Sequence, residues 1–354
     1  MKNQPQVPIF DAHNDALLRL VTRTDDGPEA FVQGVEHGHL DLPRAEAGGL
    51  VGGIFACFVP SPKTPRQKVK RTVGGYEEGF PASLDQAEAL QKTVAMAASL
   101  FRIEALSEGR FKVVTNVSQI EDCLASGAMA ASLHIEGAEA IDTDLNALDV
   151  LYQTGLRSIG PVWSRPNAFG YGVPFRFPSS PDIGPGLTDA GEALIKACNQ
   201  KNIMIDLSHL NEKGFWDVHR LSDAPLVATH SNAHQLCPVS RNLTDRQLNA
   251  IRESDGMVGL NYAVCFLRED GENRADTPFS VLLRHLDYLI EHLGEDRVGL
   301  GSDFDGATIP EVIGTAAGLQ DFVQAMREHG FDNALIEKLC YKNWLRVLRL
   351  SWGH

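Results

Sequence analysis

No stretch of this 354-residue sequence approaches the roughly 20 consecutive apolar residues that a membrane-spanning helix needs. Basic charge is not in excess either: 32 Lys and Arg stand against 46 Asp and Glu, for a formal charge of −14 spread along the chain. A surface of that sign repels phosphate backbones and anionic headgroups, so no nucleic acid and no membrane are expected as partners. The six cysteines, Cys57, Cys123, Cys198, Cys237, Cys265 and Cys340, show no CxxC spacing. That excludes a zinc knuckle and a disulfide framework, and leaves buried free thiols. The opening Met1-Lys2-Asn3-Gln4-Pro5-Gln6 lacks a basic region followed by an apolar stretch, and Leu350–His354 carries no lipid-anchor signal. A cytoplasmic location is therefore expected. Internal repeats and low-complexity tracts are missing as well. With 43% hydrophobic and 22% charged residues, a sizeable core is expected, and disorder is not.

What is present is a recurring pattern of short apolar runs, at 9–13, 51–58, 131–136, 156–163, 203–209, 226–230, 257–262 and 298–303. Continuous apolar runs of this length read as strands buried on both faces. Helical periodicity falls between most of them, at 83–107, 146–151, 189–199, 278–293 and 332–350. In the third of these, Asp189 stands three residues before Glu192, a capping-box arrangement. Eight strands alternating with helices suit an α/β fold, a (β/α)8 TIM-type barrel forming a single domain over 1–354. A doubly wound sheet would scatter its ligands along an edge instead. Two irregular stretches, 61–80 with Tyr76 and 167–186 with Phe169, Tyr171, Phe175 and Phe177, read as long loop excursions over the active face.

Five of the runs end in residues that bind metals. His13 and Asp15 follow the first, and two residues apart on a strand they share a face. His134 and Glu136 close the third, His209 the fifth, His230 the sixth and Asp303 the eighth. Imidazole and carboxylate donors suit a divalent cation such as zinc, and a single zinc needs only three protein ligands. The surplus points to two adjacent metals. Glu136, with two oxygens and the other donors in pairs around it, is the natural bridge, and two such ions can hold a hydroxide between them. Asp303 is then the free carboxylate that moves protons.

The motifs His13-x-Asp15, Ile135-Glu136-Gly137, Asp206-Leu207-Ser208-His209, Thr229-His230-Ser231, Ser240-Arg241-Asn242 and Gly301-Ser302-Asp303-Phe304-Asp305-Gly306 resemble the membrane (renal) dipeptidase family. This is the M19 group of the amidohydrolase superfamily. The resemblance runs from about Phe10 to Leu350 and implies a (β/α)8 barrel with two zinc ions, commonly a homodimer acting on small dipeptides. It implies that His13 and Asp15 bind one zinc and His209 and His230 the other, with Glu136 bridging. Asp303 matches the proton-transferring aspartate, and Arg241 the arginine that grips the substrate's C-terminal carboxylate. A guanidinium suits that task independently, because its planar fork binds a carboxylate bidentately.

One position departs from the pattern. Many family members end the fourth strand with a His that contacts the reacting carbonyl, and here Trp163 occupies that place. An indole donates one hydrogen bond and can neither titrate nor ligate zinc. His134, on the Glu136 strand face, is a candidate substitute or a packed barrel residue; His234 and Asn261-Tyr262 are further pocket candidates. The remaining histidines, His37, His39, His219, His285, His292, His329 and His354, are expected to be solvated or capping. The chain is thus expected to be a binuclear zinc dipeptidase using a metal-bridging hydroxide, with Trp163, Arg241, Tyr262 and His134 facing the substrate. Trp163 leaves a second expectation open, an amidohydrolase for N-acyl amino acids or lactones. A non-catalytic metal-binding member is the third.

Overall fold

The computed structural model describes residues 6–23, 26–62 and 69–353. The stretch 1–5 on which the N-terminal reading falls, part of the first excursion (63–68) and His354 lie outside the described residues. Eight parallel strands form the barrel: β1 (Ile9–Asn14), β2 (Leu50–Phe58), β3 (Met129–Glu136), β4 (Leu156–Gly160), β5 (Met204–Ile205), β6 (Val227–Ala228), β7 (Met257–Asn261) and β8 (Val298–Gly301). They follow one another as β6-β7-β8-β1-β2-β3-β4-β5, and a parallel bridge between Asp206 and Val227 closes the ring. A ninth strand, Phe111–Val113, pairs with the first half of β3 on the edge that β4 takes higher up. At three residues it is too short to have shown a period.

The fifth and sixth strands are shorter than the sequence suggests. Asp206 Oδ1 accepts from the N–H groups of Ser208 and Thr229, at 3.1 and 2.9 Å, so a side chain replaces the ladder where the two strands part. Helices largely follow expectation. In the helix Gln86–Leu106, Met96 and Leu100 are buried, whereas Val94 is 51% exposed. The helix Asp189–Lys201 is capped one residue earlier than expected: Thr188 Oγ1 accepts from Gly191 N–H at 3.1 Å. The single helix expected over 332–350 is broken, with a π-helical turn at Lys338–Lys342 between Asn333–Glu337 and Asn343–Trp352.

That last helix floors the barrel. Trp344 and Leu348 pack against Phe10, Ile54, Ala130, Met204, Val227 and Met257, all on inward strand positions. Trp344 Nε1 donates to the Leu300 carbonyl at 3.0 Å, and a Cβ on Gly299 would lie 2.4 Å from that nitrogen. The two excursions meet each other: Lys70–Thr72, Gly75–Glu77 and Arg176–Phe177 form a small antiparallel sheet. An apolar floor and a polar group of strand ends together place chemistry at the C-terminal face.

Candidate active site

β1 delivers its two donors differently from the expected shared strand face. Its register against β2 shifts between Asp11 and Asn14, and the strand ends there. Asp15 lies beyond it, at φ −106° and ψ 24°, where the helix Ala16–Thr22 begins. The turn still brings Asp15 Oδ2 to 3.5 Å from His13 Nε2. On the other side, Asp11 accepts from Ser302 N–H at 2.6 Å and Ser302 Oγ at 2.7 Å, while Asp303 N–H donates to the His13 carbonyl at 3.0 Å. Asp303 itself is left-handed, at φ 60°. A Cβ on Gly306 would lie 2.1 Å from Asp15 Oδ2 and 2.4 Å from Asp303 Oδ1, so only glycine lets this turn close over the two carboxylates.

Glu136 Oε1 is the hub. It lies 2.8 Å from His209 Nε2, 3.3 Å from His230 Nε2 and 3.6 Å from His13 Nε2. Glu136 belongs to two compact donor groups, one with His13 and Asp15, the other with His209 and His230, and Asp303 groups with His13 and His230. The rings of His13 and His230 stack at 3.7 Å. Among the described residues, neither His13 nitrogen nor Asp15 Oδ1 has a hydrogen-bond partner, although all are buried. Uncompensated buried donors and acceptors converging on one point fit divalent cations.

The layer below sets the tautomers. Thr229 Oγ1 donates its one proton to Asp206 Oδ2 at 2.5 Å, so towards His230 Nδ1, 2.8 Å away, it can only accept. The His230 proton therefore sits on Nδ1, and Nε2 presents a bare lone pair to the cluster. Ser164 Oγ stands 2.8 Å from His209 Nδ1, a hydrogen bond that orients the ring. Asp206 and Ser164 were assigned no role from the sequence. Asp206 stood inside a quoted motif, whereas Ser164 gave no signal.

Burial dominates the electrostatics. It pushes Glu136 well above the usual carboxylate range, helped by Asp15 and Asp303 and opposed by His13; it raises Asp303 likewise, with Asp15 adding to it. Burial drives His209 and His230 well below 6.5, with Arg241 and His13 pushing the same way. His13 is the exception: burial would lower it, but Glu136, Asp15 and Asp303 together raise it to about 10.

Arg241 is 3% exposed, donating through Nη1 to Ser231 Oγ at 2.8 Å and through Nη2 to the His230 carbonyl at 3.0 Å, with its Nε–H free of partners among the described residues. Trp163 packs 5.7 Å from the His209 ring and 4.9 Å from Phe58. His134 lies one strand layer below Glu136, fully buried, with Nδ1 2.9 Å from Ser158 Oγ and Nε2 3.8 Å from Asp206. Tyr262 corrects the expectation. It is fully buried against Phe304 and Phe322 in the layer between barrel and helices, and takes no part in the cluster. Inward positions on β7 are odd-numbered, so Asn261 enters the site and its neighbour faces away. His234 bonds to the Ser179 carbonyl at 2.9 Å. His285, expected to be solvated, is fully buried between Ala233 N–H and the Leu267 carbonyl.

A parallel barrel that gathers three imidazoles and three carboxylates at its strand ends defines a metal-dependent hydrolase. The comparisons narrow the class. The family model for membrane dipeptidase, peptidase family M19, matches residues 3–351, and the chain belongs to that family of metallo-dipeptidases. A crystal structure of a dipeptidase described as an M19 metallopeptidase is 53% identical, covers 99% of this chain and 100% of its own, and superposes with a TM-score of 0.94. A Rhodobacter sphaeroides metallopeptidase, liganded with a phosphinate mimic of L-Ala-D-Ala, is 52% identical at 98% and 100% coverage, also with a TM-score of 0.94. A Klebsiella pneumoniae protein encoded in the pqqA 5′ region is 50% identical over 255 residues, 72% of this chain and 94% of that protein.

Proposed function

We propose that this metallo-dipeptidase works with two zinc ions, His13 and Asp15 holding one, His209 and His230 the other, and Glu136 shared between them. The observation that carries the proposal is the membership of Glu136 in both donor groups, with Oε1 within 3.6 Å of all three imidazoles. Bound there, the two ions would supply an activated water as nucleophile and the Lewis acidity that polarises the scissile carbonyl. The chain's own residues do the rest. Asp303, steered by Asn261, carries the proton to the leaving amine. Arg241, braced on Ser231 and the His230 carbonyl, keeps an Nε–H edge for the C-terminal carboxylate. Trp163 walls the His209 side without exchanging protons.

The test is hydrolysis of L-Xaa-L-Xaa and L-Xaa-D-Xaa dipeptides by zinc-loaded protein, with metal counted on the same sample. The relative that carries an L-Ala-D-Ala mimic supports including the D-series. Cleavage with about two metals per chain is expected for such a centre. Metal without dipeptide cleavage would move the assignment to N-acyl amino acids or lactones, the alternative that Trp163 leaves open. Six unpaired thiols support the cytoplasmic placement, and the homodimer rests on the family resemblance; cell fractionation and sedimentation test them.

A further inference from the structure

One stretch of chain runs from the metal ligands to the carboxylate anchor. Val173 N–H donates to the carbonyl of His209 at 2.8 Å. Ser240 Oγ donates to the Pro174 carbonyl at 2.6 Å and accepts from Arg176 N–H at 3.0 Å, and Ser240 N–H returns to the Arg176 carbonyl at 3.0 Å. Ser240 is buried and directly precedes Arg241. Phe175 thus lies midway, with both neighbours clamped and its own carbonyl accepting from Glu78 N–H at 2.9 Å. Its backbone is fixed at once to a ligand's strand end and to the neighbour of Arg241.

The ring spans the same gap. Phe175 lies 6.5 Å from the His209 ring, 5.6 Å from Trp163 and 5.7 Å from Phe266, and Phe266 lies 5.8 Å from the Arg241 guanidinium. Trp163, Phe175 and Phe266 therefore form a continuous aromatic wall from His209 to Arg241. Phe175 and Trp163 retain exposed surface, whereas Phe266 is 7% exposed. In a dipeptide, the atoms between the scissile carbonyl and the C-terminal carboxylate are those of the C-terminal residue. With one end at the Glu136 cluster and the other on Arg241, that residue crosses the stretch the wall lines.

We propose that Phe175 is the specificity-determining residue for the side chain of the substrate's C-terminal residue, selecting apolar side chains and limiting their size. An anionic side chain would lose its water against ring faces whose own partial charge is negative and that offer it no compensating partner. The inference rests on the dipeptidase reading above and on Arg241 as the carboxylate anchor.

The experiment measures kcat/KM for two dipeptide series, one varying the C-terminal residue through Ala, Leu and Phe, the other varying the N-terminal residue in the same way. Wild type is compared with Phe175→Ala, Phe175→Leu and Phe175→Trp; the last two keep an apolar side chain on the clamped backbone, so the test does not depend on the alanine variant folding. Phe175→Ala and Phe175→Leu are expected to raise the bulky-to-small ratio in the C-terminal series by about tenfold, and Phe175→Trp to lower it, as adding or removing methylenes at an apolar wall does. The N-terminal series should move by less than about threefold. A loss of general rigidity would depress both series alike. Unmoved C-terminal ratios, or a shift confined to the N-terminal series, overturn the inference while wild-type cleavage leaves the dipeptidase reading standing. Absence of any dipeptide cleavage by wild type removes both.

Discussion

Asn261 Nδ2 donates to Asp303 Oδ2 at 3.0 Å, and the same nitrogen reaches the His230 carbonyl at 3.3 Å. One amide thus fixes the Asp303 carboxylate, the proposed proton carrier, relative to the backbone of His230. Asp303→Asn should keep the shape of the site and lose the proton exchange. We expect kcat to fall about 10²- to 10⁴-fold with KM and metal content nearly unchanged. Steady-state kinetics alongside metal counting check this, and turnover at the wild-type rate would remove Asp303 from its role.

Arg241→Lys separates charge from geometry. The ammonium keeps the positive charge but loses the planar fork and its braces on Ser231 and His230. KM for dipeptides should rise about tenfold or more, the scale of a charge-assisted hydrogen bond, with a smaller change in kcat. A kcat defect with unchanged KM would place the carboxylate elsewhere.

Chelation should abolish dipeptide hydrolysis and lower the melting temperature, because ions that bind only the folded chain stabilise it by mass action. Zinc should restore both. Glu136→Gln, which removes charge from the shared oxygen position, should lower the bound metal count as well as activity. A variant that still binds the full complement would mean that Glu136 bridges nothing.

His285 makes stability sensitive to acid. Burial pushes its imidazole down to about 4, against a weaker opposing hydrogen bond to the Leu267 carbonyl. Below its ordinary value of 6.5 the unfolded chain takes up a proton that the folded chain refuses, so this stability is complete above 6.5 and is lost as pH falls towards 4. Between pH 7 and 5 the loss is about 2 kcal/mol. Urea midpoints at those two pH values should fall less in His285→Gln than in wild type; equal drops would contradict the assignment.

Trp344→Ala should destabilise the fold by about 3–5 kcal/mol, the range for emptying a large aromatic from a packed core. The floor lies well below the donor cluster, so the variant, where it folds, should retain its metal count. Thermal melts and metal analysis on one preparation decide.

The candidate donors were legible because strand ends in such a barrel converge, and five of the eight apolar runs stopped on a residue type that metals use. His13, Glu136, His209 and His230 needed only that rule to meet within 3.6 Å of one oxygen. Asp15 reached its place by a route the sequence did not show, a register shift and a turn in place of strand alternation. Tyr262 failed for a reason the sequence did contain, since parity from Met257 puts Asn261 inside. The Asn261 side chain then bonds to Ala263 N–H at 2.6 Å and turns the chain, fixing Tyr262 outward. Ser164 and the broken last helix were not legible. Hydroxyl supports come from loops without period, and a π-helical turn keeps the apolar pattern of the helix it interrupts.

β1 hydrogen-bonds to β8 through residues almost the whole chain apart: Asp11 and Ser302 are separated by 291 positions. Both donors proposed for one ion lie on or just after that first strand, while those for the other arrive after β5 and β6. An unfinished chain leaving the ribosome would therefore display only half a binding site. The second half of the proposed site exists only once His230 has been made, so a chain truncated before it is expected to bind metal weakly.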